Sequence, residues 1–231
     1  MTQTHTVTYP KYLQLDKILD AQAPLGPESL GTSVHAAEQF FIVVHQAFEL
    51  WFKQVLTDLE CAREALSAQP RDPERALDHL QRVASIHRLL YQQMDLFDHL
   101  SPHSFLAFRP YLGSASGSES EQWRQVQKAL GLRGQSGSHL YELLVAAAKE
   151  QGLTMLDVYR EPFRAGVFYR LAEALVDISE QFWQLSAAHV QIAERTIGQR
   201  AGTGGTSGAP YLREALNVKA FPELWDIRTQ L

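Results

Sequence analysis

This sequence predicts an all-α fold, an antiparallel bundle of roughly four major helices. Three observations carry that expectation. Apolar residues recur at spacings of three and four through long stretches, no segment alternates with period two long enough to make a strand, and clusters of Pro, Gly and Ser separate the stretches.

In chain order, the opening residues are polar, and Tyr9-Pro-Lys-Tyr12-Leu13 then sets two tyrosines and a leucine ahead of the first long helix. Ordered aromatics in such an arm need a surface to cover, either their own subunit's core or a neighbouring subunit. The Pro-, Gly- and Ser-rich stretch from Pro24 to Ser33 reads as a loop, so that residues 1–33 form an arm and its connection. The helix that follows contains Phe41, His45, Phe48 and Phe52, whose spacing places them on one inward stripe. A histidine there is desolvated and held near neutral. It is either a core histidine bonded to a backbone carbonyl or a group placed for chemistry.

That helix is expected to reach about Ser67, and Asp72 as N-cap with Pro73 in the first turn starts a second one. Leu77, Leu80, Val83, Ile86, Leu89 and Leu90 make this the antiparallel partner of the first. His79, His87, His99 and His103 share no metal-ligand spacing and read as surface or packing residues. Ser101-Pro102 begins a short helix through Phe105 and Phe108 to Arg109, a residue that either snorkels to solvent or clamps a carboxylate. The small-residue loop from Leu112 to Ser118 presents backbone N–H groups, and its simplest reading is a helix cap with Ser116 or Ser118 as the hydroxyl. A turn at Gly131 to Gly137 precedes a helix over Leu140 to Lys149, closed by Gly152. The last long helix is expected from Pro162 to Arg200, with Phe168, Leu171, Leu175, Ile178, Phe182, Leu185 and His189 on its buried stripe. Residues 198–208 are glycine-rich, either a loop that closes over a ligand or a plain linker; the Lys-Ser or Lys-Thr of a Walker phosphate loop is missing. Tyr211 to Leu216 and Phe221 to Leu231 finish the chain as short helices.

The 231 residues, 45% hydrophobic, are read as a single domain. A net charge of −5 with no dense Lys/Arg run excludes a nucleic-acid surface and favours a small-molecule or protein partner. Cys61 is alone, which rules out an internal disulfide or a cysteine zinc cluster and suits a reducing cytoplasm. Met1 to Lys11 lacks the apolar core of a signal peptide, and no apolar run approaches the length of a membrane span.

Three constellations compete for the chemistry. His45 and Glu49, one turn apart, with His189 from another helix, have the composition of a two-His-one-carboxylate metal site. Alternatively, one histidine from each of two facing helices serves the two faces of a haem. The third is a helical interaction module whose histidines only pack.

Five stretches in order resemble the tryptophan 2,3-dioxygenase family: Tyr9 to Leu13, Phe41 to Lys53, Phe108-Arg109-Pro-Tyr-Leu-Gly-Ser-Ala-Ser116-Gly117, Glu194 to Thr206, and Phe221-Pro-Glu-Leu-Trp-Asp-Ile-Arg. The resemblance implies haem b between long helices, with His189 as the axial iron ligand and the sixth position open to O₂. It implies His45 as the distal histidine bonding the indole N–H, Phe41 lining the indole pocket, Ser116 near the haem edge, Arg109 clamping the substrate carboxylate and Thr203 holding the amino acid's polar end. Tyr9, Tyr12 and Leu13 would complete a neighbour's site within a homotetramer. The reaction implied is ring opening of L-tryptophan to N-formylkynurenine. Departures stand beside these matches: Phe105 replaces a tyrosine, Ala47-Phe48 a Thr-Ser, Leu185, Ser186 and Ala188 a Trp and two Arg, and Met94 a tryptophan, while the segment from Gly131 to Pro162 is shorter than in typical members. Altered surroundings of an axial ligand retune its iron. Two alternatives therefore remain, a haem mono-oxygenase giving an oxindole or hydroxylated product from tryptophan or β-methyltryptophan, and a non-catalytic haem-binding module.

Overall fold

The computed structural model describes residues 7–133 and 139–231; the turn expected at Gly131 to Gly137 lies partly outside them. The arm is two short helical turns, α1 (Tyr9–Leu13) and α2 (Leu15–Ile18). The long α3 (Thr32–Ser67) and α4 (Pro73–Gln93) follow, then α5 (Pro102–Phe108), α6 (Glu121–Ala129), α7 (His139–Glu150), α8 (Met155–Arg160), α9 (Pro162–Ala165), the long α10 (Val167–Ile197), α11 (Ala209–Glu214) and α12 (Pro222–Asp226). The described residues contain no strand.

At 1.5 Å per residue α3 is about 54 Å long. Its entry is tied down by Glu38, a buried carboxylate that accepts the N–H groups of Leu25 at 2.7 Å and Gly26 at 3.0 Å. Charge is tolerated there because two backbone donors of the loop would otherwise stay unpaired. A Cβ at position 26 would sit 2.8 Å from Glu38 Oε2, so a larger residue there would have to displace the carboxylate that holds the loop. As expected, α3 ends at Ser67 and Asp72 caps α4, accepting from Arg75 N at 3.0 Å.

A second buried carboxylate fixes how α3 meets α4. Asp58 accepts from Gln54 at 2.8 Å, His79 Nδ1 at 2.7 Å and Arg82 at 3.0 Å, while at the other end Gln93 donates to the Val44 carbonyl at 3.2 Å. The two helices therefore run antiparallel. In contrast, α10 runs in the same direction as α4, pairing Arg170 with Glu74 near the start of both and Arg195 with Asp98 just past the end of α4. The expected single helix from Pro162 is interrupted: Gly166 adopts φ 54°, which separates α9 from α10, and Gly198 at φ 60° ends α10 at Ile197. The main core joins Phe48, Phe52, Leu80, Val83, Phe168, Leu171, Ile178 and Phe182, and a smaller cluster gathers Val34, Leu100, Phe105 and Phe108. At the C-terminus, Arg228 donates to Glu173 at 2.7 Å and Trp225 to Ser179 Oγ at 3.2 Å, seating α12 on α10.

The arm does not share this packing. Helices α1 and α2 touch one another and hardly reach the bundle, leaving Tyr9 71% and Tyr12 77% exposed.

His87 is a packing residue, as its lack of metal-ligand spacing implied, but a fully buried one. Its Nδ1–H donates to the Val83 carbonyl at 3.0 Å, and Nε2 has no partner among the described residues. Burial lowers its pKa from 6.5 to about 4. The unfolded chain takes up this proton near 6.5 and the native protein only near 4, so the associated stability is complete above that window and is lost as pH falls through it. Urea unfolding at about pH 7 and pH 4 should show the parent losing about 3 kcal/mol more than His87→Leu. An equal loss in both proteins would mean that His87 protonates in the native state.

Candidate functional site

Helices α3 and α10 both lie along α4 yet hardly touch each other. His45 on α3 and His189 on α10 face the resulting gap. Both imidazoles stay exposed, although lost hydration is the leading cause that lowers their pKa values, that of His189 to about 4. A ring that is reachable and yet dehydrated lines an internal hollow rather than the outer surface. The two are near enough that charge on His45 disfavours charge on His189. The expectation of buried stripes thus holds for Phe48, Phe52, Phe182 and Leu185, but at each histidine the stripe turns into a cavity wall.

The hydrogen bonding fixes the chemistry of each ring. His45 Nδ1 lies 2.8 Å from the Phe41 carbonyl, an acceptor only, so Nδ1 carries the proton and Nε2 is left as a neutral lone pair. Among the described residues, neither nitrogen of His189 has a hydrogen-bond partner. Glu49, one turn from His45, has its carboxylate held by Gln122 Nε2 at 2.8 Å. It does not complete a metal triad: no three His, Cys, Asp or Glu side chains converge on a metal position among the described residues.

An aromatic box adjoins His45. The Phe41 ring is 4.1 Å from it and Phe97 is 5.4 Å away, while Phe105 and Phe108 each stand 5.6 Å from Phe41. Phe97 was not anticipated from the sequence, although its position just beyond α4 puts it level with His45. Arg109 follows Phe108 directly and belongs to a second space. There a pocket of about 390 Å³ is lined by Leu106, Arg109, Pro110, Gly113, Arg200 and Thr203.

The glycine-rich stretch forms one wall of this pocket. Arg109 Nη2 donates to the Ala201 carbonyl, and Thr203 Oγ1 donates to the Ala115 carbonyl at 2.5 Å. Gly204 lies so close to Ser116 that an added Cβ would sit 2.6 Å from the serine Cβ. Ser116 is also the cap that its loop suggested, accepting from Ser118 N at 3.4 Å. The Nε–H of Arg109 is enclosed and has no partner among the described residues. The structure thus brings His45, Phe41 and His189 together, and Arg109 and Thr203 to one pocket with Ser116 against the loop that walls it. Tyr9, Tyr12 and Leu13 are not brought to it within the chain.

A family model described as Tryptophan 2,3-dioxygenase matches residues 2–142 and 137–231. The chain belongs to the tryptophan 2,3-dioxygenase family. Curated relatives named tryptophan 2,3-dioxygenase include one from Caulobacter vibrioides, 34% identical over 97% of this chain and 98% of the relative. Another from Burkholderia ambifaria is 35% identical over 98% of this chain and 84% of its own length, and one from Paraburkholderia phytofirmans is 34% identical over 99% and 86%. The Caulobacter alignment spans 268 positions, more than the 231 residues present here. The two matched stretches meet at 137–142, inside the segment expected to be shortened.

Tryptophan 2,3-dioxygenases are haem-dependent and use O₂. The hollow suits that group: it separates two long helices, and each flanking imidazole offers a nitrogen that no other described residue engages. The loop that closes the polar end depends on Gly208, where a Cβ would lie 2.4 Å from the Arg200 carbonyl oxygen at φ +75°. Gly208→Ala is expected to destabilise the closed loop by about 1–3 kcal/mol. Amide exchange across residues 200–206 should then accelerate while helix content holds. Unchanged exchange would show that the loop accommodates the methyl group.

Proposed function

We propose that this chain is a haem-dependent tryptophan 2,3-dioxygenase, converting L-tryptophan and O₂ to N-formylkynurenine. The observation that supports it most is the presence in one chain of two facing histidines, an aromatic box beside one of them and a pocket lined by Arg109, whose Nε–H is enclosed without a partner among the described residues. His189 would hold the haem iron, because its imidazole is neutral and uncommitted among the described residues. Haem held there would supply the activation of O₂. Ser116 would be among the residues that hold the haem.

The remaining roles belong to the chain. Phe41 and its neighbours receive the indole ring and keep water from it. His45 Nε2, with the proton held on Nδ1 by the Phe41 carbonyl, accepts the indole N–H and orients the C2–C3 bond. Arg109 clamps the carboxylate with the Nε–H that no other described residue takes. Thr203 has committed its hydroxyl proton to Ala115, so its oxygen is left to accept from the substrate ammonium. Both oxygen atoms enter the product as the C2–C3 bond breaks, so no external reductant is consumed.

His189→Ala should lose haem while His45→Ala keeps it and binds tryptophan about three- to tenfold more weakly, as loss of one neutral hydrogen bond implies. The product mass of the parent enzyme should rise by two oxygens. A haem-replete His189→Ala protein with an unchanged spectrum, or a product with a single added oxygen, would sink this reading.

The family is generally tetrameric. We assign the arm to a neighbour's site: Tyr9, Tyr12 and Leu13 have little of their own subunit to cover, and Val7, Ile18 and Leu19 extend the same exposed apolar surface. No helix among the described residues is long and apolar enough to cross a membrane, and the cytoplasm is the compartment proposed. Deleting residues 1–13 should weaken tryptophan affinity and loosen the oligomer without releasing haem. A truncated protein with parental assembly and kinetics would return the tyrosines to surface packing.

A further inference from the structure

Arg200 lies three residues beyond α10 and shares the 390 Å³ pocket with Arg109 and Thr203. Among the described residues its guanidinium has no hydrogen-bond or ion-pair partner. Among the described residues no Asp or Glu lines the pocket. Two arginines thus line one small space, Arg200 from its exposed side, and an anion between them would offset their like charge.

The two cations stand on different parts of the fold. Arg109 belongs to the fixed wall, anchored behind Phe108, which is fully buried. Arg200 belongs to the base of the glycine loop, where its backbone N–H donates to the Ile197 carbonyl at 3.2 Å. Its own carbonyl is packed against Gly208, and the loop beyond it is closed by Gly202 N–H donating to the Thr206 carbonyl at 3.0 Å. The Arg200 backbone is thereby set before any ligand arrives. On the wall side, Phe105 and Phe108 offer no polar side-chain atom to share an anion with Arg109.

We propose that Arg200 is a second carboxylate-binding residue, so that the substrate anion is shared between one guanidinium of the wall and one of the loop. This rests on the tryptophan reading of the site and adds a specificity determinant to it. The carboxylate bridges wall and loop, and indoles that carry one hold the loop shut where neutral indoles do not.

Calorimetric binding of L-tryptophan, indole-3-propionate and indole to haem-loaded parent, Arg200→Ala, Arg200→Lys and Arg109→Ala proteins tests this. Arg200→Ala should weaken the two carboxylates about tenfold to a hundredfold and indole by less than about twofold. Arg200→Lys should recover part of the loss, with haem content and spectrum unchanged in both. Equal losses for all three compounds, or loss of haem, would overturn the proposal in favour of a structural or haem-holding role. If Arg109→Ala discriminates the carboxylates and Arg200→Ala does not, Arg200 is wrongly assigned and the tryptophan reading stands. If neither variant discriminates, the amino-acid pocket itself is wrongly placed.

Discussion

The separation of α3 from α10 is the constraint on which the site depends. Helices with apolar stripes close on one another unless something else takes up their inward faces. Here α4 does so, antiparallel to α3 and parallel to α10, and the buried Asp58 with its three donors keeps α3 from sliding along it. Removing one partner of such a buried carboxylate leaves a charge with unmet demand, which is why the register is resistant to drift. His45 and His189 face the same hollow because each is fixed in register to α4, not because their own helices meet.

Local signals made much of the chain legible before any coordinates. The Asp72-Pro73 start of α4, the end of α3 at Ser67 and the short α5 ending at Phe108 depend on capping and proline geometry, which act over a few residues. What spacing could not convey was direction and distance between helices. The parallel run of α10 beside α4 follows from pairs such as Arg195 with Asp98, nearly a hundred residues apart in sequence. The same limit hid the state of the two histidines, since a periodic pattern places a residue on an inward face without saying whether that face meets side chains or a hollow. Gly166 carries no local sign of a break, because an isolated glycine within an apolar pattern is ordinarily tolerated. Glu38, surrounded by aromatic residues in sequence, gave no hint that its partners are backbone N–H groups from before the helix. Arg200 beside the glycines has no local signal at all, since what sets it apart is Arg109 on the same pocket.

The polar end of the site is assembled differently from the hollow. Its walls are backbone carbonyls and small residues, with Ala201 and Ala115 accepting from Arg109 and Thr203 and with Gly204 seated on Ser116. Such contacts need close approach more than large side chains, which accounts for the run of glycines better than flexibility alone does. It also gives Ser116 two compatible duties, capping its own short helical turn and supporting the loop opposite.

The two stretches that match the family meet at 137–142, and the site is divided at that same point. Everything before it supplies His45, the aromatic box and Arg109; everything after it supplies His189, Arg200 and Thr203. During synthesis the first part leaves the ribosome before α10 exists, so the core residues of α3 and α4 wait for Phe168, Leu171, Ile178 and Phe182 to pack against. With His189 in the role proposed for it, haem would be captured only once α10 has emerged and found its place beside α4, so that the order of translation would defer redox chemistry until the frame that contains it is complete.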